Sequence, residues 1–110
     1  MSIFDLFKTS DINDGVRKMK ETEGSVLLDV RTREEYAQGH IPGSINIPLN
    51  EIDTVKVKIT DKTAPVFVHC LSGARSSRAV SYMKQAGYTN VTDIGGIHRY
   101  RGETEKGAAV

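Results

Sequence analysis

The chain has 110 residues, 38% of them hydrophobic and 26% charged, and a formal net charge of +1. That length supports one domain with a single core, and the near-neutral charge argues against a strongly electrostatic partner such as nucleic acid. One cysteine excludes an internal disulfide and suits a reducing compartment, and without a secretory-type N-terminus or an apolar run near the ~20 residues of a membrane span, the expectation is a soluble cytoplasmic protein with no membrane partner.

Residues 1–9 read as a short extension whose Phe4, Leu6 and Phe7 could pack on the body or meet a partner. Ser10 or Asp11 is placed to cap a helix with Ile12, Val16 and Met19 on one face, weakened by Gly15 and ended by Gly24. Ser25-Val26-Leu27-Leu28-Asp29-Val30 is a short apolar run of the kind buried on both faces in a parallel sheet. Thr32, with Glu35 three residues later, predicts a capping box and a short helix ending near Gly39. His40-Ile41-Pro42-Gly43 is a turn, and Ser44 to Ile47 alternates like a short strand stopped by Pro48. Asn50 to Asp53 suggests a brief helical turn. Val55-Lys56-Val57-Lys58-Ile59 alternates strictly and reads either as an edge strand or as a loose connection with apolar anchors.

A second buried strand is predicted over Val66 to His69, then a helix from about Arg75 to Gln85 with Ala79, Val80 and Met83 inward and Gly87 just past its end. Val91 to Ile94 is a third buried strand, running into Gly95-Gly96, and the small, polar segment 102–110 is expected to be a flexible tail. Strands alternating with helices predict a three-layer α/β fold with a mainly parallel central sheet flanked by helices. Ligands of such sheets bind at the carboxyl ends of strands, and Asp29, Cys70 and Gly95-Gly96 each follow a predicted strand.

Cys70 is the strongest pointer to chemistry. It closes the apolar run Val66-Phe67-Val68-His69 and opens Leu71-Ser72-Gly73-Ala74-Arg75 at the start of a helix. Free amides and the positive end of the helix dipole favour an anion there. Arg75 adds a fixed charge, and both effects lower a thiol's pKa. The small residues Ser72, Gly73 and Ala74 allow the loop to curl so that successive N–H groups form an anion nest around the sulfur. The plainer alternatives are a buried hydrophobic cysteine and an ordinary strand-to-helix connection.

Several segments together resemble the rhodanese domain. Asp29-Val30-Arg31, Glu34-Glu35-Tyr36 and Gly39 to Pro48 are similar to its N-terminal signature. Val68-His69-Cys70 with Gly73 and Arg75-Ser76 is similar to its active-site loop, and Gly87 to Val91 with Gly95-Gly96 to its C-terminal signature. The resemblance spans residues 10–101 and implies a single-domain sulfurtransferase of rhodanese-like fold. It implies Cys70 as the nucleophile that takes a sulfane sulfur from thiosulfate, a polysulfide or another persulfide. A Cys70 persulfide would then pass that sulfur to a thiophilic acceptor, cyanide in an assay or a thiol in the cell. Leu71, Ser72, Gly73, Ala74 and Arg75 would be the binding loop, with the amides supplying electrostatic stabilisation and Arg75 suiting a small anionic sulfur donor.

Four residues separate Cys70 from Arg75. Phosphatases of related fold have a loop one residue longer, so the resemblance disfavours phosphate chemistry and, less strongly, arsenate reduction. The chain departs from the family pattern in having Tyr100 where Trp is frequent, and in the uncharged Leu71 and Ala74, which put thiosulfate as donor in question.

Asp29 and Arg31 are candidates for orienting loop groups from behind. Their plainer readings are a turn cap for Asp29 and a surface pair with Glu34 or Glu35 for Arg31. His40 and His69 read as structural, and His98 has no assigned role. The histidines and cysteine lack metal-ligand spacing, so neither metal nor other cofactor is expected. A persulfide carrier docking on a protein and a non-catalytic binding module are the competing functions, and a domain of this size is compatible with a monomer.

Overall fold

The computed structural model describes residues 11–109. Residues 1–9, with Phe4 and Phe7, and Ser10, the alternative helix cap, lie outside the described residues. The helices are α1 (Ile12–Glu21), α2 (Arg33–Gln38), α3 (Val55–Lys58) and α4 (Ala74–Gln85), and the strands are β1 (Val26–Asp29), β2 (Ile45–Asn46), β3 (Val66–Cys70) and β4 (Val91–Gly96). Short 3₁₀ segments cover Leu49–Thr54 and Ile97–Arg99. All pairings are parallel, in the order β2-β1-β3-β4, so the expected α/β architecture is present with a fully parallel sheet. Among the described residues no helix is long and apolar enough to cross a membrane.

Alternation along the strands divides the core. Leu27, Phe67 and Ile94 face α1, where they pack with Ile12 and Val16. Leu28, Val66 and Val68 face the opposite way, onto Ala79, Val80 and Met83 of α4 and onto Ile52, Val55 and Ile59. All five residues of β3 are buried, as a central strand covered on both faces requires. Asp11 caps α1 by accepting from the N–H groups of Asn13 and Asp14. Gly15, a weak point by helix propensity alone, is where α1 meets β4: a Cβ there would lie 2.4 Å from Ile94 Cγ2.

One reading of the sequence is corrected. Val55–Lys58 is helical, not an edge strand or a loose connection. Val55 and Ile59 are buried while Val57 is 79% exposed, the i, i+4 spacing of one helix face. The segment after Gly102 is hydrogen-bonded to the body. Glu105 and His40 exchange two backbone hydrogen bonds of 2.8 Å, and the Gly107 N–H donates to the Ala37 carbonyl at 2.9 Å. The ring of His40 stacks on Tyr36 at 3.8 Å and its Nδ1 lies 2.8 Å from the Tyr36 carbonyl, so this histidine supports the turn beside the tail.

Candidate active site

The parallel register brings the sequence-predicted residues to one rim. Asp29 aligns with Asn46 and with His69, and Cys70 aligns with Gly96. Because neighbouring residues of a strand point to opposite faces, Cys70 belongs to the α4 side of the sheet, and His69 and Asp29 belong to the α1 side.

Cys70 ends β3 and is buried, 1% exposed. The chain then turns through Gly73, whose φ of 111° is open to glycine at little cost, and enters α4 without a side-chain cap. The donors of this uncapped turn converge on the sulfur. The Gly73 N–H donates to Cys70 Sγ at 3.0 Å. The Ser76 hydroxyl lies 3.5 Å from Sγ, where it accepts from the thiol or donates to a thiolate. Burial pushes the Cys70 thiol up, but the Ser76 hydroxyl and the N–H groups of Ser76, Gly73 and Ser72 together outweigh it and hold the pKa below the ordinary value. Of the anion nest expected of this loop, the Gly73 N–H is the backbone donor seen within hydrogen-bond distance of Sγ.

The loop is fixed from β4. A Cβ on Gly96 would lie 2.3 Å from the Leu71 carbonyl oxygen and 2.7 Å from Ser72 Cα, so only glycine lets the loop backbone rest on the sheet here. His98 grips the same carbonyl twice, by its backbone N–H at 3.1 Å and its Nδ1 at 2.7 Å. These two contacts fix the peptide group between Leu71 and Ser72. Sequence reasoning left His98 without a role, because its contact spans 27 positions. It also missed Ser76 as a sulfur partner, although a hydroxyl one turn into a helix that follows a cysteine is a usable signal.

Arg75 does not stand free. Its Nη1 and Nη2 donate to Glu35 Oε1 and Oε2 at 2.6 and 3.0 Å. Glu35 also completes the predicted capping box of α2 with Thr32. Its carboxyl is held down at about 2, first by the Arg75 hydrogen bond, against a smaller opposing effect of burial. The Glu35 carboxylate likewise raises Arg75.

The surface pair anticipated for Arg31 is replaced by a buried one. Asp29 is fully buried and accepts from the Arg31 N–H at 2.9 Å, from Nε at 3.0 Å and from Nη2 at 2.7 Å. Arg31 Nη2 also donates to the Gly39 carbonyl at 2.7 Å. Asp29 thus fixes the Arg31 turn, in keeping with its plainer reading as a turn cap. His69 Nδ1 donates to the Cys70 carbonyl at 3.2 Å, and burial pushes its pKa down, favouring the neutral ring. Leu71 is 42% exposed, and among the described residues no cluster of three or more His, Cys, Asp or Glu could hold a metal ion.

Comparison with known proteins agrees with this geometry. Residues 13–103 match the model of the rhodanese-like domain. Thiosulfate sulfurtransferase PspE of Escherichia coli is 39% identical over 71 residues, which are 64% of this chain and 68% of that protein. Thiosulfate sulfurtransferase GlpE of Pseudomonas entomophila is 35% identical over 92 residues, covering 79% of this chain and 84% of that protein. A solved structure described as rhodanese with anions from E. coli superposes with a TM-score of 0.71 at 36% identity, over 76% of this chain and 99% of that one.

Proposed function

We propose, for a chain that belongs to the rhodanese-like domain family and is a rhodanese-type sulfurtransferase, that the transferred sulfur is carried on Cys70 as a persulfide. The observation that carries this reading is the approach of the Gly73 N–H, at 3.0 Å, and the Ser76 hydroxyl, at 3.5 Å, to the buried Cys70 Sγ. Neutral donors around a buried sulfur stabilise an anion wherever it resides, on the thiolate or on the outer sulfur of a persulfide.

The chemistry runs in two half-reactions. The Cys70 thiolate attacks the sulfane sulfur of thiosulfate. The S–S bond of thiosulfate breaks, its electron pair leaves with sulfite, and a new S–S bond forms on Cys70. In the second step an acceptor, cyanide or a thiolate, attacks the outer sulfur and the Cys70 thiolate departs. No external oxidant or reductant enters. The two relatives named for thiosulfate support that molecule as a donor. The free cysteine suits a reducing compartment such as the cytoplasm.

Steady-state thiocyanate formation from thiosulfate and cyanide tests the scheme. Parallel double-reciprocal lines are expected, and lines that intersect would overturn the two-step scheme.

A further inference from the structure

Arg75, in the first turn of α4, is the first charged residue after Cys70, since Leu71, Ser72, Gly73 and Ala74 carry none. Both terminal nitrogens of its guanidinium are engaged by the two oxygens of one carboxylate. That carboxylate cannot easily turn away. Glu35 Oε1 accepts from the Thr32 N–H at 2.9 Å, and the Glu35 N–H donates to Thr32 Oγ1 at 3.1 Å, so the capping box holds it in place. The pair is half-buried, with side chains 31% and 29% exposed, and Arg75 sits in the first turn of α4, at the end of the loop that Cys70 opens.

The loop mouth therefore has neutral donors aimed at the sulfur and a cation whose charge is cancelled locally. This matters for the encounter with a donor. Attack by the Cys70 thiolate on thiosulfate gathers three negative charges at one loop, whereas a monoanionic donor gathers two. Amide dipoles act at contact distance, but only an uncompensated charge attracts over several ångströms.

Resting on the reading that Cys70 accepts a sulfane sulfur, we infer that Glu35 is a specificity-determining residue. By neutralising Arg75 it weakens selection for dianionic donors and sets the site toward donors carrying one charge or none at the transferring end, such as organic persulfides and thiosulfonates. With a thiosulfonate the Cys70 thiolate attacks the sulfane sulfur, a sulfinate leaves with the electron pair of the broken S–S bond, and the same Cys70 persulfide results.

Thiosulfate and methanethiosulfonate differ by one anionic oxygen replaced by a methyl group, and so isolate the charge. The test compares kcat/KM for the two donors in the wild type, in Glu35→Gln and in Arg75→Gln. Glutamine retains the capping-box acceptor, which keeps α2 intact. Glu35→Gln should raise the thiosulfate-to-thiosulfonate ratio about tenfold at low salt, with the gain shrinking as ionic strength rises. Arg75→Gln should move the ratio in the opposite direction. An unchanged ratio, with both donors lowered alike in both variants, would make the pair a structural clamp and overturn the inference. Failure of wild-type Cys70 to gain sulfur from thiosulfate, thiosulfonate or polysulfide would instead overturn the transferase reading on which it rests.

Discussion

The carboxyl ends of β1 and β3 are adjacent in the sheet, yet they use polar groups in opposite ways. At the end of β1 the polar groups are charged side chains, and they close on one another: Asp29 takes Arg31, and Arg31 takes the Gly39 carbonyl. At the end of β3 the polar groups are the Gly73 N–H and the Ser76 hydroxyl, and both lie against Cys70 Sγ. Charge in this molecule builds the frame, and neutral dipoles serve the reactive atom. The Glu35–Arg75 pair stands between the two, a frame contact placed beside the mouth.

The contrast is most severely tested by breaking the frame. Asp29→Ala leaves Arg31 buried without its partner, and the expected cost is about 3–5 kcal/mol of stability by denaturant unfolding. In whatever fraction remains folded, the pH profile of Cys70 alkylation should be unchanged, because Asp29 does not touch the sulfur. A profile displaced along with stability would show that the two ends of the rim are not separate devices.

A smaller effect is expected from Gly96→Ala, which drives a methyl group into the Leu71 carbonyl and Ser72 backbone. Overpacking of this kind costs about 1–3 kcal/mol, but here the displaced atoms carry the Ser72 amide. Sulfur transfer should fall and the Cys70 pKa should rise. Retention of both the wild-type pKa and the wild-type rate would show that β4 does not position the loop.

Smallest is Ser76→Ala, which removes a buried hydroxyl from the sulfur's surroundings. The Cys70 pKa should rise, because the hydroxyl that offsets the burial of the thiolate is gone, and thiolate absorbance measures it. The sign for stability follows from the lowered pKa in the wild type. The contribution of the thiolate is fully present above the unfolded value of ~8.5 and is lost as pH falls through the folded value. The variant should lose part of this alkaline gain, and an unchanged pH dependence would remove Ser76 from the account.

What the sequence revealed follows the range of each interaction. The Thr32–Glu35 capping box spans three positions and reads directly, as does a thiol leaving an apolar run into a Gly-containing turn. The pairing of Glu35 with Arg75 spans 40 positions, and the grip of His98 on Leu71 spans 27. Both depend on which strands become neighbours. Arg31 was assigned to the wrong carboxylate because helix-neighbour rules offer Glu34 and Glu35, whereas burial of Asp29 two residues earlier demands the charge. Val55 to Ile59 was misread because a five-residue alternation also satisfies a helix with two buried ends. The contacts of the tail with His40 and Ala37 span more than 60 positions, so no local pattern announces them.

The central claim is that Cys70 itself takes up the sulfur, and intact mass after incubation with thiosulfate, without reductant, tests it most directly. The account predicts a gain of one sulfur atom on the wild type, reversed by cyanide, and none on Cys70→Ser. An equal gain on Cys70→Ser, or no gain on the wild type with thiosulfate or polysulfide, would contradict it.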